Sequence, residues 1–238
     1  SATLTKTDFL LFLEAPMHLW AKHHQQMEKE ENSAFQQLLI QQGQQVEDLA
    51  EAFIAALVGK EVFQRQYEAA DGPFRVRCDF IIKDEASEVF DMYEVKSSTS
   101  VKKQHEYDLA FQKLVISTNL SVRDVYLVLV EKGYQYQGYI EPQNLFKLER
   151  LNDHVEALEG EVLALRQQAL KTAMAENPEG IRGCSNPDSC PCPSLCHPNL
   201  PTYPIYDIPR LGKKAATLKT KGVTAIRDIP QNFPLSNS

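Results

Sequence analysis

Two stretches of alternating character, Phe74–Ile82 and Glu88–Val95, constrain this chain most. A period of two sends successive side chains to opposite faces of a strand. Glu85, Ala86 and Ser87 lie between the stretches as a tight connection, so the two read as antiparallel neighbours. The first carries one acid, Asp79, on an otherwise apolar run. The second runs into Glu94-Val95-Lys96, with Glu94 fifteen residues after Asp79. Pairing the strands brings two carboxylates and one amine to a single sheet edge. Carboxylates hold Mg²⁺ or Mn²⁺, which prefer oxygen ligands. Such an ion lowers the pKa of a bound water and neutralises phosphoryl oxygens, while a lysine orients the water or balances developing charge. The trio therefore suits hydrolysis of a phosphodiester. The plainer alternative is an edge strand with solvated charges.

The surrounding pattern gives an α/β order. Thr5 or Thr7 caps a short helix through Phe9–Leu13, and Pro16 opens a second one carrying Leu19 and Trp20. Asn32 or Ser33 caps a longer helix in which Phe35, Leu38, Leu39, Val46, Leu49, Ala50, Phe53, Ile54 and Leu57 recur at helical spacing, ending at Gly59. Val62–Tyr67 pairs with Phe74–Ile82 across the hairpin signal Asp71-Gly72. Val101–Ile116 reads as a helix bearing His105, Asp108 and Gln112, and Val125–Val130 and Tyr134–Ile140 read as strands around Lys132-Gly133. Val155, Leu158, Val162, Leu165 and Ala169 mark an exposed amphipathic helix over Asn152–Met174, suited to an adjoining domain or partner. No internal repeat is evident. Cys78 reads as a small core residue facing away from Asp79, and Trp20 as core. His18, His23 and His24 could line DNA or a metal, but read first as solvated positions of the second helix.

Prolines become dense from Pro178 to Pro209, which forbids a regular core there. Four of the five cysteines, Cys184, Cys190, Cys192 and Cys196, crowd into the same stretch, and His197 follows as a reserve ligand. In a reducing compartment such density reads as metal ligation rather than disulfides. Four thiolates suit zinc or a four-iron cluster, and residue chemistry alone leaves both open.

The chain has 238 residues and a net charge of -7, so it lacks a bulk cationic footprint for nucleic acid. A local strip offsets this: Arg210, Lys213, Lys214, Lys219, Lys221 and Arg227 face only Asp207 and Asp228. It is either a phosphate-contacting surface, led by Lys213 and Lys214, or a solvated tail. No apolar run is long enough to span a membrane and the beginning has no signal-peptide pattern, so a cytoplasmic protein without a membrane partner is expected.

Asp79…Glu94-Val95-Lys96 resembles the core motif of the PD-(D/E)xK nuclease superfamily. Phe111-Gln112-Lys113-Leu114 falls where RecB-like members carry a glutamine. Thr5-Lys6-Thr7-Asp8-Phe9 with Pro16…Leu19-Trp20 is similar to the opening of RecB-like nucleases related to the CRISPR-associated iron–sulfur exonucleases. The tail from Leu211-Gly212-Lys213-Lys214 to Ile229-Pro230 resembles the subgroup in which such a nuclease precedes a further domain. The resemblance covers nearly the whole chain. It implies a restriction-endonuclease-like core with a mixed sheet flanked by helices, and metal-dependent cleavage of DNA, often single-stranded or at free ends. It assigns Mg²⁺ or Mn²⁺ to Asp79, Glu94 and the carbonyl of Val95, catalysis to Lys96 and Gln112, and a structural 4Fe-4S cluster to the cysteines. It also implies an arrangement of helical residues 1–60, nuclease core 61–175, cluster segment 176–204 and basic tail or following domain 205–238.

Three positions depart from that pattern. Glu47 stands where the family has a histidine four residues after a helix glycine, here Gly43, and Glu47 can still ligate the metal. Ile116 stands where an aromatic residue follows the glutamine. Ala15 stands where the first cluster cysteine precedes a proline, and Cys192 is the local thiolate available to replace it. These departures leave open a nuclease fold that only binds DNA, and a zinc-stabilised interaction domain in which the acids are incidental.

Overall fold

The structure is a computed structural model that describes residues 2–28, 34–59, 63–84 and 86–235. Strand β1 (Leu4–Thr5) leads directly into α1 (Lys6–Glu14), followed by α2 (Pro16–His23) and α3 (Ala34–Val58). The hairpin β2 (Phe63–Asp71) and β3 (Phe74–Lys83) precedes β4 (Phe90–Lys96), α4 (Lys103–Ile116) and β5 (Val122–Val130). A short α5 (Pro142–Leu145), β6 (Phe146–Arg150) and the long α6 (Asn152–Met174) complete the main body. Among the described residues the remainder holds two short helices, α7 (Pro193–Cys196) and α8 (Lys213–Thr220), and two 3-10 turns at Ile205–Asp207 and Ile226–Asp228.

The sheet is mixed. β3 pairs antiparallel with β2 along its length and with β4 only from Phe80 to Lys83. At its other end, Phe74 and Arg75 pair in parallel with β1. β3 and β4 therefore part company at Asp79, and β1 fills the far end of the gap. β4 then runs parallel to β5 through the α4 crossover, and β5 pairs antiparallel with β6.

Helices cover both faces. Phe9 and Phe12 of α1, Leu109, Phe111 and Val115 of α4, and Val155, Val162 and Ala169 of α6 bury one face with Val76, Cys78, Met92 and Leu127. Phe9 stacks on Phe111 with ring centroids 4.7 Å apart, a pairing that adds about 0.5–1.5 kcal/mol beyond area burial. Ala50, Phe53 and Ile54 of α3 bury the other face with Phe80, Ile82, Tyr93 and Val128. Along β3 the core contacts thus change face between Cys78 and Phe80, at Asp79. Opposite Asp79 in β2 sits Gln66 at φ 53, a left-handed conformation that non-glycine residues rarely adopt and that breaks regular alternation.

Local chemistry explains the element ends. Thr5 and Asp8 form a reciprocal capping box on α1, worth about 1 kcal/mol. Pro16 occupies the first turn of α2, and Gly59 follows α3 at φ 80. Asn32 and Ser33, the expected caps of α3, lie outside the described residues.

Three expectations are corrected. Tyr134–Ile140 is not a strand: β6, at Phe146–Arg150, pairs with that edge of β5 instead, and Tyr136, Tyr139 and Ile140 are left exposed. The apolar stripe of α6 is not exposed, since Val155, Val162, Ala169 and Ala173 are buried with the α4 layer. His18 is not solvated; it is 3% exposed and lies against the cysteine segment. A small separate core, Ile205, Leu211 and Leu218 with Val223 and Phe233, organises the tail. Ile205-Tyr-Asp-Ile-Pro209 recurs as Ile226-Arg-Asp-Ile-Pro230, each beginning with a 3-10 turn, so the tail contains a short repeat where none is expected.

Candidate active site and cysteine centre

The gap between β3 and β4 holds the acids. Asp79 Oδ2 accepts the Val95 backbone N–H at 2.8 Å, which ties the parted strands together. Glu94, one residue earlier on β4, is 2% exposed. Its Oε1 receives two ammonium groups, Lys96 Nζ at 2.9 Å and Lys6 Nζ at 2.6 Å. Its Oε2 is buried with no protein partner. Lys96 Nζ also donates to Asp108 Oδ2 at 2.7 Å, and Asp108 Oδ1 accepts from Gln112 Nε2 at 2.9 Å. Gln112 thus reaches the centre through Asp108 rather than by touching the acids, and its own Oε1 is buried without a partner.

Glu47 of α3 closes the other side. It accepts from Gln66 Nε2 and from Arg65 Nε at 3.0 Å, while Arg65 also grips Asp48 and Glu51. Gln66 Nε2 reaches on toward Asp79 Oδ1 at 3.4 Å, so the unusual β2 backbone links Glu47 to Asp79. His105 serves the fold, accepting the Lys102 N–H at 3.2 Å at the start of α4.

The electrostatics separate the two central acids. Burial first, then the charge of Glu94, pushes the Asp79 carboxyl up to about 7. Burial also disfavours the Glu94 charge, yet Lys96 and Lys6 outweigh it and hold that carboxyl low, at about 2. Burial opposes the Lys96 charge, but Glu94 and Asp108 overcome it and hold the ammonium firmly protonated. Lys6 is held the same way, burial being outweighed by Glu94, Asp108 and Asp79. A half-buried site with two carboxylates of unlike proton affinity and an orphaned carboxylate oxygen has the donor chemistry of a hard divalent cation. Lys6 also lines a groove of about 720 Å³ with Lys22, Arg75 and Arg77 against a single acid, Glu68.

Lys6 is the residue that sequence reasoning missed. Its signal was faint: a lysine in the first turn of a helix, where the macrodipole favours anions instead. Asp108, on the helix that the sequence predicts to carry it, grips Lys96.

The second centre lies under α2. His18, Cys184, Cys190 and Cys196 place one ligand atom each within 4.8 Å of the others. This Cys₃His group can bind a metal ion. The expected set and this set share Cys184, Cys190 and Cys196 and differ at the fourth member. Cys192 is buried with its Sγ 3.8 Å from Cys196 Sγ, outside the group. Burial, then the neighbouring thiols, pushes Cys184 up to about 12, and burial raises Cys192 likewise. Gly183 permits the approach of the two ends: a Cβ there would fall 3.0 Å from Cys196 Cα.

Lys213 and Lys214 begin α8, which follows the cysteine segment and lies far along the chain from the strand gap; Lys213 is exposed and Lys214 half-buried. Among the described residues no helix is long and apolar enough to cross a membrane.

No protein-family model and no curated protein matches the sequence. Solved structures are similar in chain path at low identity. The crystal structure of SSO0001 is 16% identical, with 84% of this chain and 88% of that one covered at a TM-score of 0.43. An alkaline exonuclease (LHK-Exo) from Laribacter hongkongensis is 14% identical, covering 71% of this chain and 94% of its own at 0.42. The same exonuclease in complex with dAMP is 15% identical, covering 72% and 89% at 0.46.

Proposed function

We propose that this chain is a divalent-metal-dependent DNA nuclease of the RecB-like PD-(D/E)xK type, acting on single strands or DNA ends. The observation that carries the reading is the convergence of Asp79, Glu94 and Lys96 at the strand gap, with Glu94 Oε2 buried and unpartnered. Asp79, Glu94, the Val95 carbonyl and Glu47 would hold Mg²⁺ or Mn²⁺. When bound, the ion supplies an acidified water and charge neutralisation at the phosphoryl group. Lys96, kept charged by Glu94 and Asp108, sits where it can hold the attacking water or the phosphoryl oxygen. Gln112 acts as a positioning residue by fixing Asp108. Lys6 adds a second cation, and the groove it shares with Lys22, Arg75 and Arg77 offers a path for a phosphate backbone. Lys213 and Lys214 would contact the same strand at a distance, or the tail would pack on an adjoining domain.

One observation favours a second reading, a weakly catalytic DNA-binding module. Lys6 and Lys96 already neutralise Glu94, and Arg65 and Gln66 already occupy Glu47, so a cation must displace partners to enter. The two readings separate on incubation with Mn²⁺ and single-stranded DNA, one substrate linear and end-labelled, one circular. Degradation of the linear strand by the native chain and not by Lys96→Ala is the expected result, and loss of the circle as well would indicate internal cutting. Retained DNA binding with no cleavage by a folded native protein would overturn the nuclease reading in favour of the module.

A further inference from the structure

We propose that His18, Cys184, Cys190 and Cys196 form a mononuclear zinc site that fastens α2 to the cysteine segment, in place of a four-thiolate iron–sulfur cluster. The proposal is independent of the nuclease reading. Its basis is the donor set and its spacing. Four ligand atoms from two distant parts of the chain lie within 4.8 Å of one another. The His18 Nε2 to Cys190 Sγ distance is 3.5 Å. A tetrahedral zinc with Zn–S about 2.3 Å and Zn–N about 2.0–2.1 Å sets a sulfur–nitrogen edge of about 3.5 Å. A cubane places its own irons and sulfides between the thiolates and spreads them further apart than this group stands. An imidazole in the fourth place also suits the Cys₃His structural zinc sites better than the all-thiolate ligation of ordinary four-iron clusters.

The neighbourhood is built for such a site. His18 is 3% exposed and its Nδ1 has no hydrogen-bond partner, while the Glu14 carboxylate at the end of α1 stands 3.7 Å from that atom. The Nδ1 side of the ring thus faces a carboxylate without being bonded to it, and Nε2 is the nitrogen that faces the sulfurs. Backbone contacts register the two parts: Met17 N–H donates to Arg182 O at 3.1 Å, and Glu28 N–H to Pro191 O at 2.8 Å. Met17, Trp20 and Ala21 share a small core with Cys190 and Cys192. Cys192 therefore has a packing role. His197 Nε2 touches Cys184 Sγ at 3.3 Å from outside the group. The missing thiolate before Pro16 is thus compensated from the same helix, one position past Met17, rather than from the loop.

The test is metal analysis of the full chain, purified anaerobically from cells supplied with both zinc and iron. One zinc per chain is expected, with neither acid-labile sulfide nor the broad visible absorption of an iron–sulfur cluster. Cys192→Ser and His197→Ala should keep the zinc. His18→Ala should weaken it by at least the roughly 10- to 100-fold that loss of an outer partner alone costs. Should His18→Ala fail to fold, His18→Cys decides: it should keep one metal, and its Co²⁺ form should gain thiolate charge-transfer intensity over the native Co²⁺ form. Iron with labile sulfide, or metal lost in Cys192→Ser and kept in His18→Ala, would overturn the proposal.

Discussion

The two centres answer the burial of charge in opposite ways. At the strand gap most of the carboxylates have a cation in contact: Lys6 and Lys96 for Glu94, Lys96 for Asp108, Arg65 for Glu47; Asp79 has only the Val95 N–H and Gln66 and is pushed toward its neutral form. Under α2 the thiols have no such cation, and burial raises Cys184, Cys190 and Cys192 toward the neutral form. The first site sits on strands whose ladders hold without help. The second sits on a proline-rich segment with one four-residue helix. A compensated site keeps its shape without metal, whereas an uncompensated thiol pocket takes its shape from the ion, because ligand binding and folding are then one free energy.

The largest effect should come from stripping metal from the cysteine centre. Removing it with a strong chelator should lower the melting temperature by about 10–20 °C, corresponding to about 5 kcal/mol in a chain of this size. The comparison breaks if the melting curve does not move. Lys96→Ala should lower Mn²⁺-dependent cleavage by about 10²–10³-fold, on the scale of losing one preorganised electrostatic contact, with the cysteine metal retained. Steady-state rates beside metal analysis check this.

Acidity sharpens the contrast next. With Asp79 at about 7, a cation must displace its proton below that value. Apparent Mn²⁺ affinity should therefore fall about tenfold per pH unit below 7 and level off above it, as titration calorimetry would record. The same raised carboxyl makes metal-free protein less stable as pH climbs from the ordinary aspartate range to 7, because the folded form holds the proton longer. Glu94 works the other way: its low value contributes stability above the ordinary glutamate range, lost as pH falls toward about 2. Lys6→Ala should tighten Mn²⁺ several-fold by freeing Glu94 Oε1 while slowing cleavage, a split that calorimetry and kinetics resolve together. The smallest effect belongs to Trp20→Phe. It removes the hydrogen bond to Ala175 O at 2.8 Å and should cost about 1 kcal/mol, a shift of about 2–4 °C in melting temperature.

Much of this was legible because the signals are local. The threonine cap of α1, which falls on Thr5, proline at the start of α2, the Asp71-Gly72 turn and the period-two runs each act within a few residues. Two failures are instructive. Tyr134–Ile140 alternates like a strand, but a strand needs a free edge, and β6 takes the one on β5. The α6 stripe looked exposed because a sequence does not say that α4 will lie across it.

The sequence by itself determined that Asp79 and Glu94-Val95-Lys96 ride on paired strands and that four thiols share one irregular segment. Strand pairing across a short connection and cysteine density both follow from near neighbours in the chain. Only the tertiary structure decided that Lys6 closes on Glu94 across 88 positions and that His18 meets Cys190 across 172. A lone lysine in a first helical turn, or a lone histidine on an amphipathic helix, carries no periodic mark of its partner. Its role is fixed when α1 and α2 pack, since burial then makes an unpartnered charge or imidazole costly and selects the arrangement that supplies a partner.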